Sequence, residues 1–185
     1  MRKLTIFLLL AFSVTCTLSP VASFAQQKPK TPPTLKSILL KQFQTTWDQQ
    51  DWFVPIAQSL KGLTAQQANW KPSDSSHSVG QLAYHLLFWN KQSLDKFSGR
   101  QPDKFSGNND ETFNNFTEAS WASTVQQLEQ VMKGLEAAIK NSDEAKLQGF
   151  YDTLAHISTH NAYHVGQILY IRKLAGNWDA NKGVK

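Results

Sequence analysis

The sequence predicts an all-α protein, a four-helix bundle carrying a short extra helix after its first. Three observations carry this. Apolar residues recur at helical spacing in four separate stretches. One of these, Trp121, Val125, Leu128, Met132, Leu135 and Ile139, keeps a heptad-like alternation of four-residue and three-residue steps. No stretch of useful length alternates with period two, so strands lack support.

The elements follow in chain order. Residues 1–25 join a basic start (Arg2, Lys3), an apolar run from Leu4 to Val14 and a small-x-small end at Ser23-Phe24-Ala25. This is the layout of a secretory signal peptide, with an apolar core too short to span a bilayer. Residues 26–34 are polar and proline-rich and read as a flexible leader. The bundle domain is expected over 35–176. Leu35, Leu39, Phe43 and Trp47, with Ile38 on the same face, predict the first long helix. Pro55 breaks any continuation and begins a short helix to Leu60. Ser78 and Gln81 form a capping box that opens a helix to about Phe97. Ser98 to Asn115, rich in Gly, Asn and Asp, is a long connection with room for a crossover. The heptad-like helix then ends near Asn141, and a last helix runs from about Leu147 to Leu174, with Gly176 at its C-terminus and a tail over 177–185.

Charge and cysteine content exclude several functions. The 185 residues carry a formal +5, and removal of the signal segment with Arg2 and Lys3 leaves +3. With export expected and no basic helical stripe, nucleic acid is not a partner the sequence suggests. The sole cysteine, Cys16, lies in the signal segment, where Ser13 and Thr15 depart from a lipoprotein pattern. The processed chain therefore has no thiol, no disulfide and no stable membrane anchor. No G-x-S-x-G elbow supports serine catalysis.

The chemistry rests on five histidines, His77, His85, His156, His160 and His164. Positions four apart on a helix differ by only about 40°. His160 and His164 thus fall within the apolar stripe of Ile157, Ile168 and Ile171, and His85 within that of Leu82, Leu86 and Trp89. Inward imidazoles satisfy one another poorly as free rings, whereas one divalent metal satisfies all three. Three neutral nitrogens with open positions describe a catalytic zinc or nickel site, and iron or manganese also fit. Against this, H-x3-H pairs arise by chance, and an isolated core histidine is commonly a hydrogen-bonded filler. His156, about 40° beyond His160, is read as an added ligand, a supporting group or a solvent-facing residue. His77 is read as a loop residue.

The segment His160-Asn161-Ala162-Tyr163-His164-Val165-Gly166-Gln167-Ile168 resembles the H-x-x-Y-H-x-G-Q-I signature of the DinB/YfiT-like superfamily. His77-Ser78-Val79-Gly80-Gln81-Leu82, followed by His85 and Trp89, is similar to that family's second-helix motif. Together the likeness spans about Leu35 to Leu174. It implies a four-helix bundle with a three-histidine divalent metal site, whose ligands carry over to His85, His160 and His164. It also implies a close helix approach at Gly166, support of the site by Gln167, and homodimer formation. Val165 departs from the Arg or Ala of many members. Characterised relatives include thiol-dependent S-transferases and isomerases.

Two classes of function follow. A metal-dependent enzyme of hydrolase or thiol-transferase type would act on a small molecule that the sequence does not name, and export from thiol-rich cytosol tilts the choice toward hydrolysis. The alternative is a non-catalytic metal- or ligand-binding bundle, or a dimeric scaffold with a vestigial site. Asp152, Tyr84 and Tyr163 are the proton-transfer candidates near the histidines, and each is read as structural in preference. Trp47, Trp52, Trp70, Trp89 and Trp121 are available to line a cleft or to fill the core.

Overall fold

In the computed structural model, which describes residues 32–184, Thr34 opens the chain's first helix by accepting a hydrogen bond from the Ser37 N–H at 3.1 Å. The expected signal segment and most of the leader lie outside the described residues. Helix α1 (Leu35–Trp47) buries Leu39, Phe43 and Trp47, but Leu35 and Ile38, read as part of the same inward face, are exposed. Helix α2 (Ile56–Leu60) starts one residue after Pro55, whose missing N–H costs nothing there. Helix α3 (Ala65–Asn69) was not expected, although its signal was in plain view: Thr64 and Gln67 form a reciprocal capping box.

Helix α4 (Val79–Phe97) is opened by the Ser78–Gln81 box, with bonds of 3.0 and 3.1 Å. The connection that follows contains one short helix, α5 (Glu111–Asn114). Helix α6 (Trp121–Asn141) buries Trp121, Leu128, Met132, Leu135 and Ile139, while Val125 is half-buried. The last predicted helix is divided. Leu147 belongs to a separate turn, α7 (Glu144–Gln148), capped by Asp143, and α8 (Tyr151–Leu174) begins only after Gly149 and Phe150. At its far end Gly176 adopts φ 67°, and the N–H groups of Gly176 and Asn177 donate to the carbonyls of Lys173 and Arg172. This is a Schellman stop, accessible to glycine without steric cost.

The four long helices pack in the cyclic order α1, α8, α4, α6. Leu82, Leu86, Leu128, Met132, Leu135, Leu154 and Ile168 fill the shared interior, each contributing about 1.5–3 kcal/mol by its burial. Helices α4 and α6 are direct neighbours, so the Ser98–Asn115 connection does not use its room for a crossover. The diagonal steps are instead α1 to α4, by way of α2 and α3, and α6 to α8, by way of α7. Among the described residues no strand occurs, and no helix is long and apolar enough to cross a membrane.

Polar fastenings hold the connections down. Buried Arg172 on α8 donates to the carbonyls of Ser59 and Lys61 at 2.7 and 3.3 Å and to that of Asn177 at 2.7 Å, tying α2 and the C-terminal tail to one helix. Buried Asp95 accepts from Lys91 and Arg100 at 2.9 and 2.8 Å, and Lys91 also reaches Asp103 at 2.7 Å. Phe116 seats its ring over Gly80, where an added Cβ would meet the ring at 2.1 Å. The length of the 98–115 connection is thus used to lay a buried aromatic against the first turn of α4.

Candidate metal centre

Because α4 and α8 are adjacent, their two odd stripes face each other. His85 and His164 are buried and His160 is half-buried. One ring nitrogen from each lies within 4.8 Å of the other two. His160 Nε2 is 3.1 Å from His85 Nε2 and 3.0 Å from His164 Nε2. Two nitrogens bound at about 2.0–2.1 Å to one ion lie at most about 4.2 Å apart, so the two separations from His160 are compatible with a shared metal.

The outer nitrogens decide what the inner ones offer. Buried Thr112 of α5 spends its single hydroxyl hydrogen on the Asn109 carbonyl at 2.6 Å. Its oxygen, 2.6 Å from His85 Nδ1, therefore accepts from that nitrogen. On α8 the Gln167 amide donates to the Tyr163 hydroxyl at 3.2 Å, and its Oε1 accepts from His164 Nδ1 at 2.6 Å. Both histidines thus carry their hydrogen on Nδ1 and present bare Nε2 lone pairs to the centre. One hydrogen on His160 Nε2 cannot answer both. At least one lone pair is left facing another, and a divalent cation accepts all three at once.

The imidazoles are also held in the ligating, neutral form. Burial pushes His85 from its ordinary 6.5 down to about 3, and the neighbouring His164, His160 and His77 add to the effect. Burial and His160 push His164 down to about 4, against the opposing hydrogen bond to Gln167. Burial alone lowers His160. Desolvation penalises imidazolium, and in a cluster each added charge would repel the next.

Supporting contacts reach the cluster from three elements. The Phe113 ring lies flat against His85 at 4.0 Å and against exposed His77 on its other face at 3.9 Å. His77, read as a loop residue, therefore closes a three-ring stack. Beside the cluster, buried Asn90 and Asn161 exchange amide hydrogen bonds of 2.9 and 3.3 Å between α4 and α8. Thr112, Phe113, Asn90 and Asn161 escaped the sequence reading. The Asn-for-apolar substitution next to each histidine motif was the signal available for the last two.

The histidines line a cavity of about 840 Å³ shared with Trp89, Tyr163 and His156. Exposed His156 faces this cavity from outside the three-histidine cluster. Tyr163 is exposed, Gln167 is half-buried, and Asp152 is exposed and does not line the cavity. Gly166 is exposed with open space at its Cβ position, so the close helix approach expected there is not made. The close approaches are at Gly80 and at Gly134, the latter under Leu94. Of the tryptophans, Trp89 alone lines this cavity, whereas Trp52 and Trp70 are exposed. Trp47 and Trp121 line a second cavity of about 650 Å³. There Trp121 donates to the Leu63 carbonyl at 3.1 Å, and buried Trp47 Nε1 has no partner among the described residues.

Fold and site together define an all-helical protein whose clustered histidines are compatible with metal binding. The chain belongs to the DinB superfamily, whose family model matches residues 55–168, a span that includes all three clustered histidines and Thr112. Searches of curated proteins and of solved structures gave no match.

Proposed function

We propose that the protein is a divalent-metal enzyme of hydrolase or thiol-transfer type, with His85, His160 and His164 as ligands. The observation that carries this reading is the convergence of the three Nε2 atoms, with Nδ1 of His85 and of His164 turned to the oxygens of Thr112 and Gln167. Three protein ligands beside an open cavity leave positions for water or substrate, which a storage or purely structural site would fill. A bound ion would supply Lewis acidity and a lowered pKa for a coordinated water or thiol. Zinc and nickel suit an all-imidazole set, and iron or manganese are accommodated as well. His156 and Tyr163 both line the cavity, and Tyr163 is the proton-transfer candidate of the sequence that does so next to a proposed ligand. Export through residues 1–25 belongs to the same proposal, and an oxidising compartment poor in small thiols favours hydrolysis over thiol transfer.

Elemental analysis of the untagged protein tests the core of this reading. About one equivalent of a transition metal is expected, retained through dialysis. The His85→Ala/His160→Ala/His164→Ala variant should contain none while keeping its helical circular dichroism, because the interior is filled by Leu, Ile and Met. Equal metal content in the two proteins, or none in either after reconstitution, refutes the ligand assignment.

A further inference from the structure

The walls of the 840 Å³ cavity tell what kind of molecule fits beside the histidines. Among the described residues, no Lys, Arg, Asp or Glu lines it. The charges of α4 close by are already matched, with Lys91 bonded to Asp95 and Asp103. Three of the neutral polar groups on the wall are committed to other residues. Ser93 Oγ donates to the Trp89 carbonyl at 2.9 Å, and Thr159 Oγ1 donates to the carbonyls of Ala155 and His156 at 3.2 and 3.0 Å. Asn90 Nδ2 is bonded to the Leu86 carbonyl and to Asn161. An anionic group on the body of a ligand would therefore give up water for a wall without a Lys or Arg countercharge, at a net cost in desolvation. Outside the histidine cluster, only the side chains of Asn109, Thr153, Tyr163 and His156 remain there as polar partners.

The apolar part of the wall is aromatic. Trp89 and Phe113 line the cavity, and Phe105, from the 98–115 connection, backs Trp89 edge-on at 5.1 Å between ring centres. Phe88 packs on both Trp89 and Phe105 at 5.1 and 5.7 Å. The Trp89 ring is thereby braced from behind and offers a firm surface at little entropic cost. The volume falls within the range of sites that enclose drug-sized molecules.

We propose that this cavity takes an organic ligand whose body is uncharged and aromatic, packed against Trp89, with a single donor group directed at the histidines. The direction of that donor group rests on the reading of the histidines as a metal centre. The selection for an uncharged body rests on the walls alone and holds in the metal-free protein.

A matched pair of fluorescent probes tests the selection: neutral N-phenylnaphthylamine, and anilinonaphthalenesulfonate, which adds one sulfonate to the same rings. Both are titrated into the full chain after removal of metal by chelation. The neutral probe should bind saturably and about tenfold or more tighter than the sulfonate. Trp89→Ala should weaken the neutral probe by about tenfold. Thr153→Arg, which places a cation on the half-buried cavity wall, should shrink the preference by about tenfold even if the Trp89 variant fails to fold. No saturable binding of the neutral probe, an equal or tighter affinity for the sulfonate, or a preference unmoved by Thr153→Arg overturns the proposal. Zinc titrated into the same samples separates the two readings. Zinc uptake without the probe preference removes only the ligand class, and the preference without zinc uptake removes only the metal centre.

Discussion

Thr112→Val is the sharpest perturbation of the centre, because it changes almost no volume and leaves all three proposed ligands in place. Valine keeps the branched shape of a side chain only 1% exposed but deletes the oxygen that accepts from His85 Nδ1. The imidazole is then left with a buried N–H lacking its partner, a loss of about 1–3 kcal/mol. It can escape this by moving its hydrogen to Nε2, which removes the lone pair from the centre. Either outcome weakens the metal-ligating form. The expected fall in zinc affinity is about 10- to 100-fold, equivalent to about 1.4–2.7 kcal/mol. Competition with a chromophoric chelator measures it, and imidazole nitrogen chemical shifts report the His85 tautomer in the same samples. Thr112→Ser, which keeps the oxygen, should stay near the parent value. Should Thr112→Val hold zinc as tightly as the parent with His85 still protonated on Nδ1, the Thr112 oxygen has no influence on the centre.

Three further outcomes follow from the same contacts. In the metal-free protein the clustered imidazoles titrate below their ordinary 6.5, so below that pH the unfolded chain binds more protons than the folded one. Urea midpoints should therefore fall as pH drops from about 6.5 toward about 4.5, and the triple-alanine variant should show a flatter profile across this window. Gly80→Ala drives a Cβ into the Phe116 ring and should cost about 1–3 kcal/mol, partly recovered with Phe116→Leu in a double-variant cycle. His156→Ala should leave metal stoichiometry unchanged, since that ring stands outside the cluster; metal loss as large as that of His160→Ala would make it a ligand.

Helical phase alone was enough to single out His85, His160 and His164, because a titratable ring inside an apolar stripe contradicts the stripe. The groups that orient those rings were not legible in the same way. Thr112 reaches His85 from a four-residue helix 27 positions later in the chain, inside a segment with no periodicity. Nothing local to that segment announces the contact. Periodicity also assigns a face without assigning its cover, which is why Leu35 and Ile38 were read as inward and are exposed. The division of the last helix at Gly149 and Phe150 was obscured because Leu147 continues the apolar spacing on both sides of the break. The packing order of the long helices lies further still from local pattern. Loop length left room for a diagonal crossing after α4, whereas Thr112 and Phe113 of that connection lie against His85.

The Asn90–Asn161 pair has a consequence that extends beyond its two hydrogen bonds. Leucine and isoleucine surfaces tolerate sliding, and α4 and α8 displaced by one helical turn, about 5.4 Å, would still bury much of their oil. Two primary amides facing each other do not tolerate it, since a slipped pair strands up to four buried polar atoms. The amides thus act as a vernier mark that admits one alignment of the two helices, and that alignment brings His85 level with His160 and His164. Drift in the surrounding apolar residues can proceed over evolutionary time without misaligning the histidines, provided both asparagines stay.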